Sequence, residues 1–226
     1  MPNCAVSTAT LTSQLLKRGL RNTFMQGVYP LRPISRMVGY AFTLRYIPAR
    51  ADLADQQYDN TKMYSGWPWK PWGLMTCWSL TPAVILAQLL LATLSARIMM
   101  RDAAGLVTDG ALRDTPSFRE MDFPVYIRAP HATTSFVIHH PVELNVPIGC
   151  AGVAVIPGDI IVGDGEGICV VPAQMAEEVA ADAYEQEIRE EFFHHKVING
   201  ASILGVYPPN AETLAEFEEW RKEMGK

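Results

Sequence analysis

The residues best suited to chemistry are Arg113 and Asp114, which follow the turn Thr108-Asp109-Gly110. Arginine is a planar, permanently charged fork that binds a carboxylate through two parallel hydrogen bonds. Aspartate is a hard oxygen ligand for a divalent cation. Together they suit a small 2-oxo acid, because the arginine would hold its carboxylate while a metal polarises its keto oxygen. A surface ion pair after a glycine turn would also explain these two residues, so the pair alone does not distinguish a functional site from a structural feature.

The flanking sequence places this pair in a loop between a strand and a helix. The apolar run 104–107 predicts a buried strand. Thr115-Pro116 predicts a helix start, with Thr115 as the cap and Pro116 at the first helical position, and this helix should run through Met121. Free backbone N–H groups at a helix start favour anions, which suits an acidic substrate.

Hydrophobic periodicity predicts an α/β chain on either side of this loop. Ser7 should cap an amphipathic helix that ends near Gly19, and 37–47 should form a half-buried strand. Its alternating apolar residues are Val38, Tyr40, Phe42, Leu44 and Tyr46. Further short strands are predicted at 125–127, 134–138, 142–146, 152–156, 160–162 and 168–171. Helices are predicted at 172–197 and from 210 through 220.

Composition bounds the class of protein. The chain has 226 residues, of which 49% are hydrophobic and 19% charged, with a net charge of −5. These values fit a globular protein and give no sign of a nucleic-acid surface. The longest apolar stretch, 82–94, is too short to span a bilayer, and no secretory signal is evident. The four cysteines form no C-x-x-C pair, and Cys150 and Cys169 lie among small apolar residues, so we expect buried thiols in a cytoplasmic protein.

The segment 65–96 departs from the rest of the chain. Four of the five tryptophans fall here, interleaved with proline, and 83–100 is apolar with helical spacing. The tryptophans could form a carbohydrate platform, but an irregular packed or exposed segment explains the interleaved prolines better. The cluster consists of Trp67, Trp69, Trp72 and Trp78.

Several motifs in order resemble one family, the RraA-like proteins, which include the class II 4-hydroxy-4-methyl-2-oxoglutarate aldolases and the regulators of ribonuclease E. The motifs are GLVTDGALRD at 105–114, DFPV at 122–125, NVPI at 145–148, GVAVIPGDI at 152–160 and GDGEGI at 163–168. The resemblance implies a swivelling β/β/α-type core with flanking N- and C-terminal helices, assembled as a homotrimer or homohexamer. A single domain over 1–226 is expected. Its parts are an N-terminal segment 1–64, the divergent segment 65–96, the core 97–206 and a C-terminal helix 210–225.

The resemblance also implies the site. Arg113 would contact the pyruvyl moiety, and Asp114 would ligate a Mg²⁺ or Mn²⁺ ion, largely through water elsewhere. A loop 19 to 22 residues before the arginine would offer backbone N–H groups to the substrate. By position that loop is Leu91, Ala92, Thr93 and Leu94.

This loop departs from the family's pattern. The aldolases carry an acidic residue where this chain has Ala92, in a loop with glycine, and no glycine lies between Gly73 and Gly105. The lost carboxylate could have held a metal-bound water or a proton. A compensated frameshift would leave such a segment, and so would real divergence in a helix that still packs; sequencing the genomic locus separates the two.

The expected function is a cytoplasmic, divalent-metal-dependent lyase that cleaves or decarboxylates 2-oxo acids to pyruvate. No Schiff-base lysine is needed, and none lies between Lys70 and Lys196. Ala92 favours an alternative, a non-catalytic RraA-like protein that regulates an RNA-processing enzyme. A third possibility is a damaged, inactive family member. The expected partners are a small 2-oxo acid and further copies of the chain, with no nucleic acid and no membrane.

Other polar residues have structural explanations at least as good as functional ones. The acidic run 159–166 lacks the alternating ligands of a calcium loop, so turn chemistry is favoured. His139-His140 points to opposite faces of a strand, and His194-His195 ends a helix. His131 could line a cleft, although nothing in the sequence demands it. Asp109 could orient Arg113 or shape the turn.

Overall fold

The chain alternates strands with helices along the ranges that the structure describes. The computed structural model describes residues 6–50, 52, 76–81, 103–133 and 139–226, with the backbone alone for 76–81, 140, 141 and 144. The α-helices in these ranges are α1 (Thr8–Lys17), α2 (Thr115–Glu120), α3 (Ala176–Ile198) and α4 (Ala211–Met224). The strands are β1 (Tyr29–Pro30), β2 (Met37–Pro48), β3 (Thr76–Thr81), β4 (Gly105–Thr108), β5 (Ala111–Leu112), β6 (Val125–Ile127), β7 (Ala129–Pro130), β8 (His139–Leu144), β9 (Ile148–Cys150), β10 (Val153–Val155), β11 (Ile160–Gly163) and β12 (Ile168–Val171).

Eight of these strands form one mixed sheet. Its spatial order is β1, β6, β4, β3, β2, β11, β12, and β8 also pairs with β2. The centre, β2, β3, β4 and β6, is parallel, and the flanking strands are antiparallel to their neighbours. The long β2 pairs with β11 through its first half and with β8 through its second. Separately, β9 and β10 form a hairpin, and β5 and β7 form a short parallel ribbon.

The parallel centre fixes where a site can form. Because β3, β4 and β6 are parallel neighbours, the chain leaves all three at one edge of the sheet. Crevices at the carboxyl ends of parallel strands are the usual ligand sites of such sheets. The segments after β4 and β6 begin there side by side, and they carry Arg113 and His131.

Buried side chains hold these elements together in four groups. The main group lies on one face of the sheet and includes Met25, Met37, Ala41, Val107, Tyr126 and Ile161. A second packs α2 against the parallel strands, with Leu106, Leu112, Phe118, Phe123 and Val125. A third joins α1 and α3 to β11 and β12, with Leu11, Leu15, Val162, Cys169, Val179 and Ala183. The fourth lies between α3 and α4, with Phe192, Phe193, Val206 and Phe217.

The helices expected at both ends of the chain are confirmed. The Ser7 side chain accepts a hydrogen bond from Thr10 N at 3.2 Å, as an N-cap should, and Gly19 follows α1 with a φ of +85°. Asn210 caps α4 in the same way, through Thr213 N at 2.9 Å. A 3₁₀ turn, Ala173–Met175, precedes α3.

The buried face of β2 is the opposite of the one its aromatic alternation indicates. Met37, Gly39, Ala41 and Thr43 are buried, whereas Tyr40 is 47% exposed. Met37 and Ala41 belong to the main core group, whereas Val38 and Tyr46 on the opposite face are half-buried against other core groups. Leu44 alone among the alternating apolar residues is fully buried.

Several predictions fall on undescribed residues. The strand at 134–138 and the helix at 83–100 lie outside the described ranges. From the divergent segment the structure describes β3, which pairs in parallel with both β2 and β4.

Candidate functional site

The turn after β4 is held by short polar contacts. Thr108 is fully buried, and its Oγ1 accepts a hydrogen bond from Gly110 N at 3.0 Å. Asp109 Oδ2 accepts a hydrogen bond from Ala151 N at 2.8 Å, which ties the turn between β9 and β10 to this loop. Ala151 has a φ of +47°, a conformation that a β-carbon disfavours, so this bond supports a strained turn. These contacts make Asp109 a residue of turn geometry.

The ribbon of β5 and β7 continues the pairing of the two chain segments that follow β4 and β6. Arg128 N donates to Gly110 O at 3.0 Å and His131 N donates to Leu112 O at 2.9 Å, so the two loops stay paired beyond β4 and β6. Leu112 is fully buried in the core group that packs α2 against the parallel strands, and it anchors the ribbon to that group. The next residue, Arg113, is therefore presented at a fixed position.

Asp114, and not Thr115, is the N-cap of α2. Its backbone is left-handed, with φ +57° and ψ +30°, and its carboxylate makes no capping bond to the described amides of that helix. Thr115 and Pro116 are instead the first two helical residues. An ordinary N-cap is extended and turns its side chain back onto the helix. The Asp114 carboxylate is therefore not used to cap α2.

Arg113 and Asp114 form a partly exposed pair. Arg113 Nε lies 3.4 Å from Asp114 Oδ1, and the two side chains are 32% and 31% exposed. A permanently charged donor fork and a hard oxygen ligand thus lie side by side, partly exposed, in the loop that follows the carboxyl end of β4. Among the described residues no group of three or more His, Cys, Asp or Glu could hold a metal. Asp114 fits a Mg²⁺-type ion, which commonly binds through one or two carboxylates and keeps several waters.

The acidic turns after β10 and β11 are structural. Asp159 Oδ2 accepts a hydrogen bond from Ile156 N at 2.8 Å. Asp164 is 8% exposed and accepts bonds from Thr8 and from Glu166 N. These carboxylates are occupied by the chain's own donors, which agrees with turn chemistry and not with a calcium loop.

Among the described side chains, the other histidines and the cysteines also have structural positions. His139 is buried in β8, and His194 and His195 are exposed near the end of α3. Cys150 and Cys169 are buried free thiols, as expected. Burial raises the pKa of Cys169 to about 12, so this thiol is not a nucleophile at neutral pH.

The predicted backbone loop of the site lies outside the described residues. It comprises Leu91, Ala92, Thr93 and Leu94. The sequence also gave no reason to place His131 beside Arg113. Strands of two residues carry no periodicity, and only an assumed parallel pairing of 105–107 with 125–127 could have indicated the ribbon.

Comparison with known proteins decides the family. The RraA-like profile, described as Aldolase/RraA, matches residues 8–170. The chain belongs to the RraA-like family. The match spans α1 through most of β12, so it includes the Arg113-Asp114 loop, whereas α3 and α4 lie beyond it.

The relatives of this RraA-like chain include one provisionally named a 4-hydroxy-4-methyl-2-oxoglutarate aldolase, from Halalkalibacterium halodurans. It is 33% identical over 104 residues, which are 46% of this chain and 49% of that protein. The chain spans about half the length of the curated relatives that it matches first.

Solved structures share the fold. RraAS2 of Streptomyces coelicolor, described as an unusual member of the RNase ES inhibitor RraA protein family, is 27% identical with a TM-score of 0.73, covering 85% of this chain and 94% of that one. An uncharacterised Pseudomonas syringae protein is 23% identical with a TM-score of 0.72, covering 90% and 93%. The α/β RraA-like fold expected from the motifs is confirmed.

Proposed function

We propose that the chain is a divalent-metal-dependent lyase that cleaves or decarboxylates 2-oxo acids to release pyruvate. Its substrates would be of the 4-hydroxy-4-methyl-2-oxoglutarate and oxaloacetate type. The observation that carries the proposal is the left-handed backbone of Asp114, which frees a carboxylate from helix capping beside the Arg113 guanidinium. Strained conformations of this kind cluster at functional sites. The aldolase name of the Halalkalibacterium relative supports the same reaction class.

In this proposal Arg113 binds the substrate carboxylate and offsets the negative charge that develops as the enolate of pyruvate forms. Asp114 would hold Mg²⁺ or Mn²⁺, which supplies Lewis-acid polarisation of the 2-oxo group when bound. As the family resemblance implies, backbone N–H groups of Leu91, Ala92, Thr93 and Leu94 would donate hydrogen bonds to the substrate. In the retro-aldol reaction the C3–C4 bond breaks as the 4-hydroxyl loses its proton to solvent, which gives one pyruvate and one pyruvate enolate. In oxaloacetate the C3–C4 bond breaks with release of CO₂ and leaves the same enolate. Water then protonates the enolate to pyruvate.

The test is pyruvate release from 4-hydroxy-4-methyl-2-oxoglutarate and oxaloacetate, with Mg²⁺, with Mn²⁺ and with chelator. Asp114→Asn is the informative variant, because asparagine tolerates the left-handed backbone but is a poor metal ligand. We expect turnover that needs metal and falls about a hundredfold or more in Asp114→Asn. Activity that survives both chelator and Asp114→Asn would refute the proposal.

A second function is favoured by the likeness to Streptomyces RraAS2, whose description names an RNase ES inhibitor family. Ala92 points the same way, because it replaces the acidic residue of the aldolases. A protein with this function would bind an RNA-processing enzyme and would itself catalyse no reaction. Folded protein that forms a stable complex with a ribonuclease and lacks metal-dependent turnover would support this function.

We further infer that the chain forms a homotrimer or homohexamer and works in the cytoplasm. Among the described residues no helix is long and apolar enough to cross a membrane. The connection from α3 to α4 exposes apolar side chains, including Ile198 and Leu204, which is 83% exposed. Exposed apolar patches are typical of protein interfaces. Light scattering coupled to size exclusion would report the assembly.

A further inference from the structure

His131 is held beside Arg113 by the ribbon of β5 and β7. The last paired residues of the ribbon are Leu112 and Pro130, and Arg113 and His131 are the residues that follow them. The hydrogen bond from His131 N to Leu112 O, at 2.9 Å, extends the pairing to this step. Neighbouring strands lie about 4.8 Å apart, and residues at the same step of a parallel pair lie on the same face. The His131 side chain is exposed, and its backbone lies one ribbon width from that of Arg113.

A backbone hydrogen bond in its own turn selects the tautomer of the neutral His131 ring. Thr133 N donates a hydrogen bond to His131 Nδ1 at 3.1 Å. A ring nitrogen that accepts a hydrogen bond carries no proton, so the neutral ring keeps its proton on Nε2. The Thr133 contact thereby leaves Nε2–H as the hydrogen-bond donor of the ring.

We propose that His131 determines specificity by donating a hydrogen bond from Nε2 to the second carboxylate of a dicarboxylic 2-oxo acid. The inference rests on the proposed function, because it assumes that Arg113 binds the first carboxylate. Arg113 and the proposed metal ligand Asp114 would bind the 2-oxo acid end of the substrate. His131, one ribbon width away, would donate a hydrogen bond to the other end. Hydrogen bonds to charged groups change affinity about ten- to hundredfold.

The experiment measures binding without turnover, using two inert ligands of equal chain length. 2-Oxoglutarate has a distal carboxylate and 2-oxopentanoate has a methyl group in its place; neither can be cleaved by retro-aldol chemistry. Calorimetric titration in Mg²⁺ should show wild type binding 2-oxoglutarate about tenfold or more tightly than 2-oxopentanoate.

Three variants assign that preference to one atom. Glutamine can place an amide N–H near the Nε2 position, whereas asparagine places it near Nδ1. We expect His131→Asn to reduce the preference to about twofold or less, and His131→Gln to retain most of it, with 2-oxopentanoate affinity unchanged in both. Arg128→Ala is the matched control, since it removes an exposed cation directly before β7 and should leave the preference intact.

The outcomes are distinct. Equal binding of the two ligands by wild type, or loss of the preference in Arg128→Ala alone, overturns the role of His131 and leaves the lyase proposal standing. Failure of wild type to bind either ligand removes the Arg113 anchor, and with it both proposals. A ¹⁵N spectrum that shows the His131 proton on Nδ1, identified by comparison with His131→Gln, also overturns the inference.

Discussion

Arg113 Nε lies 3.4 Å from Asp114 Oδ1, so the proposed anion anchor and the proposed metal ligand partly neutralise each other. A substrate carboxylate must compete with Asp114 for the guanidinium, unless a cation occupies the carboxylate. The two proposed ligands, anion and metal, should therefore bind cooperatively. The adjacency of the residues in sequence makes this coupling unavoidable once both side chains face the same opening.

Asp114→Asn should consequently change anion affinity in opposite directions with and without metal. In chelator the variant should bind 2-oxoglutarate about two- to fivefold more tightly than wild type, because an exposed opposing charge is worth about 0.2–1 kcal/mol. In saturating Mg²⁺ the variant should bind more weakly than wild type. Paired calorimetric titrations measure both, and a change of the same sign in the two conditions would contradict the coupling.

The left-handed backbone at residue 114 should make alanine costlier than asparagine there. Asp114 has φ +57°, a region that costs most L-residues about 1–2 kcal/mol and asparagine less. We expect Asp114→Ala to lower the melting temperature by about 2–6 °C, and Asp114→Asn by clearly less. Equal melting temperatures for the two variants would mean that backbone strain does not distinguish them.

Gly163 should not tolerate a side chain, although its φ is not in the left-handed region. A β-carbon there would lie 2.7 Å from Tyr126 Cζ and 2.8 Å from Ile168 Cδ1. The Tyr126 ring cannot easily yield, because its hydroxyl donates to Ser35 O at 2.9 Å. Gly163→Ala should cost about 1–3 kcal/mol of unfolding free energy.

The control for that substitution is Gly149→Ala in β9. A β-carbon at Gly149 meets no atom of the described residues within 4 Å. The change should therefore be neutral or stabilising by up to about 1 kcal/mol, because alanine restricts the unfolded chain. Urea denaturation of both variants gives the comparison, and a neutral Gly163→Ala would show that the sheet relaxes around Tyr126.

Local signals predicted the helices well and the sheet faces poorly. Ser7 and Asn210 identify their helix starts because a cap acts within three residues of itself. The inward face of β2 could not be read from alternation, because the strand lies in the middle of a sheet with packing on both sides. Tyr40 looks like a core residue in sequence, yet Gly39 and Ala41 occupy the tight positions.

The residues of the candidate site also differ in how well the sequence predicts them. Arg113 and Asp114 were predicted because adjacent residue types and a family motif mark them, and their roles stay predictions. The position of His131 depends on pairing between strands far apart in sequence, which no local pattern encodes. The sequence predicts Thr115 as the N-cap, because capping preferences describe N-cap residues with extended backbone. The left-handed backbone of Asp114 does not follow those preferences.

The start of α1 is held by two carboxylates from distant parts of the chain. Ser7 N and Oγ both donate to Glu187 Oε1, at 2.8 and 2.7 Å. Thr8 N and Oγ1 donate to Asp164 Oδ2 and Oδ1, at 2.7 and 2.9 Å. Partial burial raises the pKa of Glu187, but the bonds from Ser7 and Thr10 and the charge of Arg36 outweigh it, so that its pKa is lowered overall.

This lowered pKa predicts an acid-sensitive contribution to stability. Because Glu187 titrates at lower pH in the folded chain than in the unfolded one, its stabilisation is fully present above the ordinary value of 4.5 and is lost as the pH falls through the folded value. Urea denaturation should therefore show wild type more stable than Glu187→Gln from pH 5.5 to 7, with the difference shrinking below about pH 4.5. Glu218→Gln, an exposed site on α4, should differ from wild type by less than about 0.5 kcal/mol throughout. A Glu187→Gln difference that grows on acidification would refute the assignment of Glu187 as the charged acceptor for Ser7.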